Sequence, residues 1–278
     1  ENNVAALLVR SATTVRKDLI DSLNGQLKLI GRGGVGMDNI DVDYAKGKGI
    51  HVINTPAASS RSVAELVFAH LFSMVRFLFD SNQKMPLEGD SNFKALKKNY
   101  GAGIELKGKT LGIIGFGRIG QEVARMGYGL GMKIIAADRS TDEIKLTIPF
   151  ADGQEITTKV YTVSMEEVLK EADFISIHVA GAGQSLIGKK EIATMKDRAG
   201  IVNTSRGGVI DEAALMEALS SGKLAYAGLD VFSNEPTPDM KLLMCGYVSL
   251  TPHIGAATLE AQDRIGEELA DQIIDLLK

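Results

Sequence analysis

Short apolar runs alternate with amphipathic stretches along nearly the whole chain. Residues 4–9, 28–30 and 50–53 read as strands, and residues 15–23 read as a helix between the first two. Residues 61–79 carry a long apolar face behind serines that can cap a helix. A polar stretch follows from Asp80 to Gly103, with Gly, Pro, Asn and Lys, and it reads as a linker or excursion. Residues 110–115 then form a buried strand, 118–130 a helix and 133–137 a strand. Polar and apolar positions alternate over 147–163 around Asp152-Gly153, which predicts a hairpin. A helix at 165–172 precedes strands at 174–178 and 200–203. A helix at 212–221, strands at 225–229 and 248–250, and a helix over 257–277 complete the chain. Strands separated by helices need crossover connections, so the expected fold class is α/β with doubly wound parallel sheets.

At 278 residues the chain has material for about two domains. With 45% apolar and 24% charged residues it can build packed cores and has no bias towards disorder. Its formal charge of -4 argues against a nucleic-acid partner, which wants a basic face. A single cysteine, Cys245, cannot form an internal disulfide, which fits a reducing compartment; a cytoplasmic location is expected. The four histidines lack ligand spacing, so no metal is expected. The longest apolar stretch, 63–79, is interrupted by Glu65, His70, Ser73 and Arg76, so no membrane span is expected. The chain opens at Glu1 without an initiator Met or a signal peptide, and its N-terminus is expected to be incomplete or processed.

Gly115-Phe116-Gly117-Arg118-Ile119-Gly120 follows an apolar strand and opens a helix. Gly115 permits the tight turn, Gly117 lets the backbone approach a pyrophosphate, and Gly120 lets helix and strand pack closely. Alone this pattern is an ordinary strand-to-helix turn. Asp138 changes the picture: it ends the next strand, eighteen residues beyond Gly120, where a carboxylate accepts hydrogen bonds from an adenosine ribose. The combination points to a dinucleotide site, and the acid favours NAD over NADP, although Arg139 beside it keeps NADP in play. Two motifs are decoys. Residues 103–110 match the Walker A pattern but leave a polar segment and enter a strand, so their amides cannot converge on a phosphate. Asn203-Thr204-Ser205 matches a glycosylation acceptor but ends a buried strand.

Reactive side chains gather in three later segments: Asn203-Thr204-Ser205-Arg206-Gly207-Gly208, Asp230-Val231-Phe232-Ser233-Asn234-Glu235-Pro236, and Thr251-Pro252-His253-Ile254-Gly255-Ala256. Each follows a strand, where ligands bind in doubly wound sheets. These segments resemble, in order, the signatures of the D-isomer-specific 2-hydroxyacid dehydrogenases. Residues 31–39, Asn54-Thr55-Pro56 and Ser62-Val63-Ala64-Glu65 resemble the same family. With residues 252–262 they are most similar to its 3-phosphoglycerate dehydrogenase branch.

The resemblance implies a flavodoxin-like substrate domain over residues 1–79 and 255–278. An NAD-binding Rossmann domain over residues 80–254 is inserted in it, with the reaction in the cleft and a homodimer as the assembly. It implies NAD-dependent oxidation of 3-phosphoglycerate to 3-phosphohydroxypyruvate, feeding serine synthesis. His253 becomes the acid/base, Glu235 its hydrogen-bond partner that fixes the tautomer, and Arg206 the fork that binds the substrate carboxylate. Around the NAD it adds Thr55, Arg118, Ile119, Thr204, Ser205, Asp230, Gly255 and Ala256 to Gly115, Gly117, Gly120 and Asp138. Asp230 accepts from the nicotinamide carboxamide. For substrate it offers Arg32 as the phosphate's cation and the amides of Gly34, Val35 and Gly36 for the carboxylate.

The chain departs from the family in four places. An N-terminal strand–helix unit usually precedes the segment starting at Val4, so part of the substrate domain is expected to lie outside this sequence. Many relatives continue His-x-Pro where this chain has His178-Val179-Ala180-Gly181. The hairpin at 147–163 reads as an insertion of unassigned role. The sequence given ends after one final helix, so the serine-sensing regulatory domain that some relatives carry is not expected. Two other readings stay open: a sister enzyme acting on glycerate, glyoxylate or lactate, and a non-catalytic NAD-sensing protein. A Rossmann methyltransferase is disfavoured, because nothing in that chemistry needs the later Arg, Glu and His.

Overall fold

A computed structural model describes residues 4–23, 25–139, 143–181 and 183–277. The chain begins with β1 (Ala6–Val9), α1 (Lys17–Ser22), β2 (Leu29–Arg32), α2 (Val42–Gly47) and β3 (His51–Asn54). Three helices follow, α3 (Ser60–Val75), α4 (Leu78–Glu88) and α5 (Phe93–Asn99), then β4 (Thr110–Ile114), α6 (Arg118–Gly129) and β5 (Lys133–Ala137). Strands β6 (Glu143–Pro149) and β7 (Glu155–Tyr161) precede α7 (Met165–Glu171), β8 (Phe174–Ile177), α8 (Lys189–Thr194) and β9 (Ala199–Asn203). The last elements are α9 (Glu212–Ser220), β10 (Leu224–Leu229), α10 (Met240–Leu243), β11 (Val248–Leu250) and α11 (Leu259–Leu277).

The chain divides into two compact units. The first comprises residues 4–62 and 256–277, the second residues 63–255. The first boundary therefore falls at Ser62 and not at Phe79. The reason is the apolar face of α3: Ala64, Val67, Phe68, Leu71, Met74 and Val75 are buried in one cluster with Leu111, Ile113 and Phe174 of the second unit's sheet.

In the first unit β1, β2 and β3 form a three-stranded parallel sheet in that order. Val9, Ile30, Ala45 and Ile50 form the core on one face. On the other, Ile53 and Ala58 pack against Ile265 and Leu269 of α11.

The second unit is built on a six-stranded parallel sheet in the order β11-β10-β9-β8-β4-β5. The order reverses between β4 and β8, which makes this sheet doubly wound and places a crevice at the carboxyl ends of those strands. Its strands are apolar on both faces, as crossover helices on both sides require. Leu111 and Ile113 of β4 join the core beneath α3 and α6, whereas Ile114 points into the second core with Ile175, Ile177 and Ile201. Each such fully buried aliphatic side chain contributes about 1.5–3 kcal/mol relative to exposure.

Strands β6 and β7 form the expected hairpin. It caps the outer edge of β5: Thr162 bridges to Ala136, and Leu146 and Val160 are buried in the core shared with α6. An exposed sheet edge is a template for unwanted pairing, and the hairpin removes this one. The polar stretch expected as a linker contains two helices, α4 and α5, after a left-handed residue at Phe77 (φ 55°) ends α3. None of the α4 side chains is buried, and Leu78, Phe79, Met85 and Leu87 are exposed, so periodicity carried no sign of a packed face there. Among the described residues no single helix is long and apolar enough to cross a membrane, and the α3–α4 pair is bent by 54°.

Candidate active site

The three reactive segments leave the adjacent carboxyl ends of β9, β10 and β11. Backbone bonds stitch them together: Asp230 N–H donates to the Asn203 carbonyl at 3.0 Å, and Thr251 N–H to the Leu229 carbonyl at 3.0 Å. The parallel register of these strands fixes that adjacency, because Leu229 faces Asn203 on one side and Leu250 on the other.

His253 and Glu235 meet here. His253 Nδ1 lies 2.7 Å from Glu235 Oε2, and Glu235 Oε1 accepts from the Phe232 N–H at 2.9 Å. A carboxylate only accepts, so Nδ1 carries the proton of this hydrogen bond, and in the neutral imidazole Nε2 is the nitrogen left with a lone pair. The pair is partly open to solvent, with side-chain accessibilities of 49% for His253 and 34% for Glu235. His253 itself has φ 55°, a left-handed turn residue. Asp230, buried at 1% exposure, gathers that turn: its Oδ1 accepts from Thr251 Oγ1 at 2.6 Å and Ile254 N–H at 2.8 Å, and its Oδ2 from Gly255 N–H at 2.8 Å. Three donors on one ionised carboxylate are a strong local tie.

The Arg206 loop abuts the loop that carries Glu235. A Cβ on Gly207 would run into the Phe232 carbonyl, so only glycine lets the Arg206 loop touch the loop that Glu235 holds. Asn203 shapes the Arg206 turn: its Oδ1 accepts from Ser205 N–H at 3.0 Å and Ser205 Oγ at 2.7 Å, and its Nδ2 donates to the Arg206 carbonyl at 2.9 Å. At 2% exposure it is no glycan acceptor. Arg206 Nη1 donates to the Ser205 carbonyl at 2.8 Å.

The glycine-rich turn sits on the other side of the crevice, between β4 and α6. Gly115 has φ 91°, and any Cβ there would strike the His178 carbonyl; a Cβ on Gly120 would strike the Gly115 carbonyl. In front of Gly117 the space is open. Arg118 is exposed and Ile119 half-buried at the start of α6. Asp138 Oδ2 accepts from the Phe116 N–H at 2.7 Å, so the acid braces the turn from the end of β5. Thr204 is buried and its Oγ1 has no partner among the described residues. A backbone cradle without Cβ atoms and an orphaned hydroxyl fit a bound dinucleotide. His178 closes the back of this region: its Nδ1 is sealed from solvent, its Nε2 lies 2.8 Å from Ser176 Oγ, and burial pushes its pKa down to about 3.

The first unit holds its own cluster. Thr55 is buried and its N–H donates to the Gly34 carbonyl at 3.1 Å, while Asn54 Nδ2 donates to the Val35 carbonyl at 2.7 Å. The Arg32 guanidinium folds back on this loop, donating from Nη1 to the Gly33 carbonyl at 3.0 Å and lying where a Cβ of Gly34 would be. Gly36 belongs to the same turn, and Ala256 follows Gly255, half-buried. Residues 103–110, the Walker look-alike, form a turn at Gly108 that enters β4.

The residues that support the site carry little sequence signal of their own. Asn203, Thr251 and Phe232 lie inside the quoted segments, but their roles depend on bonds between loops. His70 is absent from any motif; its one signal was an imidazole on the apolar face of a helix.

Residues 68–255 match the model of the D-isomer specific 2-hydroxyacid dehydrogenase NAD-binding domain. The chain is 47% identical over 275 residues to a hydroxypyruvate reductase of Thermotoga maritima, covering 97% of this chain and 84% of that protein. It is 44% identical over 274 residues to a D-3-phosphoglycerate dehydrogenase of Methanocaldococcus jannaschii, covering 98% of this chain but 49% of that protein. This chain thus spans about half of that relative's length. Among solved structures, a glyoxylate reductase from Paecilomyes thermophila superposes with a TM-score of 0.82 at 34% identity, covering 99% of this chain and 81% of that one.

Proposed function

The chain belongs to the D-isomer-specific 2-hydroxyacid dehydrogenase family, and from that membership we propose that it oxidises 3-phosphoglycerate to 3-phosphohydroxypyruvate. The observation that carries the reaction type is the His253–Glu235 pair at 2.7 Å, packed through Phe232 against the Arg206 loop. Alcohol oxidation needs a base for the hydroxyl proton, a charge beside the oxygen and an acceptor for hydride. NAD, when bound, supplies that acceptor. His253 takes the hydroxyl proton at Nε2 as the C2–H bond breaks and the carbonyl forms, and the electron pair leaves with the hydride. Glu235 holds the imidazole in the tautomer this requires. Arg206 binds the substrate carboxylate and stabilises the negative oxygen of the transition state. In the reverse direction the proton returns from the same nitrogen. Gly115, Gly117, Gly120 and the N-terminus of α6 would hold the pyrophosphate, Thr204 would donate its hydroxyl, and Asp138 would take the ribose hydroxyls and repel a 2′-phosphate.

A second substrate reading has its own support. The Thermotoga maritima relative is a hydroxypyruvate reductase by name and is matched over most of its length, and Arg32 is engaged with the Gly33 carbonyl. On that reading the pair is glycerate and hydroxypyruvate, with the same chemistry. NADH formation with 3-phosphoglycerate, glycerate and D-lactate, beside a His253→Ala control, separates the cases. Turnover confined to the phosphorylated acid and lost in the control supports the first; turnover of glycerate alone supports the second. Cofactor binding without turnover leaves the sensor reading. We also propose a homodimer, with a second copy covering the exposed apolar residues Phe72, Leu78, Phe79 and Tyr247 of the second unit. Sedimentation equilibrium at a single-chain mass overturns it.

A further inference from the structure

His70 is not part of the pair, yet it ends a chain of hydrogen bonds that reaches the His253 turn. It lies on α3 at 2% exposure, against the sheet at Gly228. The fit is close: a Cβ on Gly228 would lie 2.9 Å from His70 Cβ and 3.0 Å from its Cγ. Gly228 pairs in register with Ser249, and the imidazole spans the strand ends there. Its Nδ1 is 2.9 Å from Ser249 Oγ and its Nε2 is 3.1 Å from Thr251 Oγ1.

Donor and acceptor roles follow from Asp230. That carboxylate accepts from Ile254 N–H, Gly255 N–H and Thr251 Oγ1, so the Thr251 proton points at Asp230. The Thr251 oxygen therefore accepts from His70 Nε2–H, and Nδ1 accepts from the Ser249 hydroxyl. Burial holds the His70 pKa down against the opposing pull of Asp230, which keeps this neutral tautomer in place. Without the imidazole, the Thr251 hydroxyl loses the donor that orients it, and Asp230 loses a directed third partner. The turn that Asp230 gathers is the one that presents His253.

We propose that His70 is a positioning residue for the reaction, setting the His253 turn through Thr251 and Asp230. The inference rests on the reading of His253 as the acid/base. A residue that only filled the core could be replaced by any side chain of similar volume. A positioning residue needs its donor.

The test compares His70→Leu with His70→Gln, whose amide restores a donor to Thr251. Thr251→Val cuts the same link from the other side and serves where His70→Leu fails to fold. Two readouts are taken: kcat and KM with whichever acid the wild type turns over, and hydrogen exchange of the Ile254 and Gly255 amides, which needs no substrate. In His70→Leu we expect kcat to fall about tenfold with KM within about twofold, since misplacement by a fraction of an ångström costs on that order. We expect the two amides to exchange about tenfold faster, tracking local opening of the turn, and His70→Gln to recover most of both. A leucine variant with wild-type kcat and wild-type exchange overturns the proposal. So does a glutamine variant no better than the leucine one, which assigns His70 to core packing alone. If the wild type turns over none of the acids, the substrate reading fails while the exchange comparison still decides the role of His70.

Discussion

Glu235→Gln isolates the tautomer argument, because it changes one atom and keeps the side chain's shape. In the wild type Glu235 Oε1 accepts from Phe232 N–H and Oε2 from the His253 Nδ1 proton. A glutamine has one oxygen. The Phe232 N–H can only donate, so it claims that oxygen and turns the amide NH2 towards Nδ1. The imidazole then accepts at Nδ1 and carries its proton on Nε2, where the substrate's proton has to go. Restoring the productive tautomer forfeits a charge-assisted hydrogen bond, about 1.5–3 kcal/mol, and sets two donors face to face, about 1–3 kcal/mol more. Together these lower kcat by about 10² to 10⁴-fold. The pair is partly solvated, at 49% and 34% side-chain accessibility, so water relieves part of the clash and the expectation is the lower half of that range. Saturating steady-state kinetics give the number, with NADH affinity from fluorescence quenching as the control for an intact fold. Nitrogen chemical shifts of the His253 ring report the tautomer directly. A Glu235→Gln enzyme within about threefold of wild-type kcat refutes the reasoning.

Burial of neutral His178 makes stability pH-dependent. Its folded pKa is about 3 against an ordinary 6.5, so below 6.5 the unfolded chain binds the proton that the native state refuses. The contribution is complete above pH 6.5 and is lost as pH falls towards 3, reaching about 3 kcal/mol by pH 4 relative to His178→Gln; urea unfolding from pH 7 to 4 should show the two chains converging, and parallel curves would remove His178 from the account. Gly207→Ala puts a methyl group into the Phe232 carbonyl. It should cost about 2 kcal/mol or more and lower Tm by several degrees, with kcat reduced more than KM because the Arg206 and Glu235 loops separate; an unchanged melting curve argues against that contact. Asp138→Ala should relax the preference for NAD over NADP by about tenfold or more, read as the ratio of kcat/KM values. The loss of the brace to Phe116 N–H should also weaken NAD itself, and an unaltered ratio means that Asp138 does not discriminate.

Much of this protein was legible from periodicity and motif. The strands β4, β5, β8, β9 and β10 announced themselves as apolar runs after turn residues, because both of their faces are buried and a hydrophobic run is the only pattern that survives there. Gly115, Gly117, Gly120 and Asp138 are spaced along one strand–helix–strand unit, so the chain alone brings them to one turn. The reactive Arg206, Glu235 and His253 were readable because each follows a strand of a sheet whose register places their loops side by side.

What the sequence could not determine depends on contacts between segments distant in the chain. The boundary at Ser62 was set by which core took the apolar face of α3, and an apolar face does not name its partner. The helices α4 and α5 were hidden because almost nothing on them is buried. The hairpin's service to the edge of β5 required the register of Thr162 against Ala136. Nothing local distinguishes Gly207 and Gly228 from ordinary loop and strand glycines, yet the Phe232 carbonyl and the His70 ring occupy the space of a side chain there. Local propensity and spacing fix the elements and the chemistry each loop can carry. Which groups share a hydrogen bond is decided only when long-range packing brings donors and acceptors within about 3 Å, and that decision turned Asp230, Thr251 and His70 into the support of one imidazole.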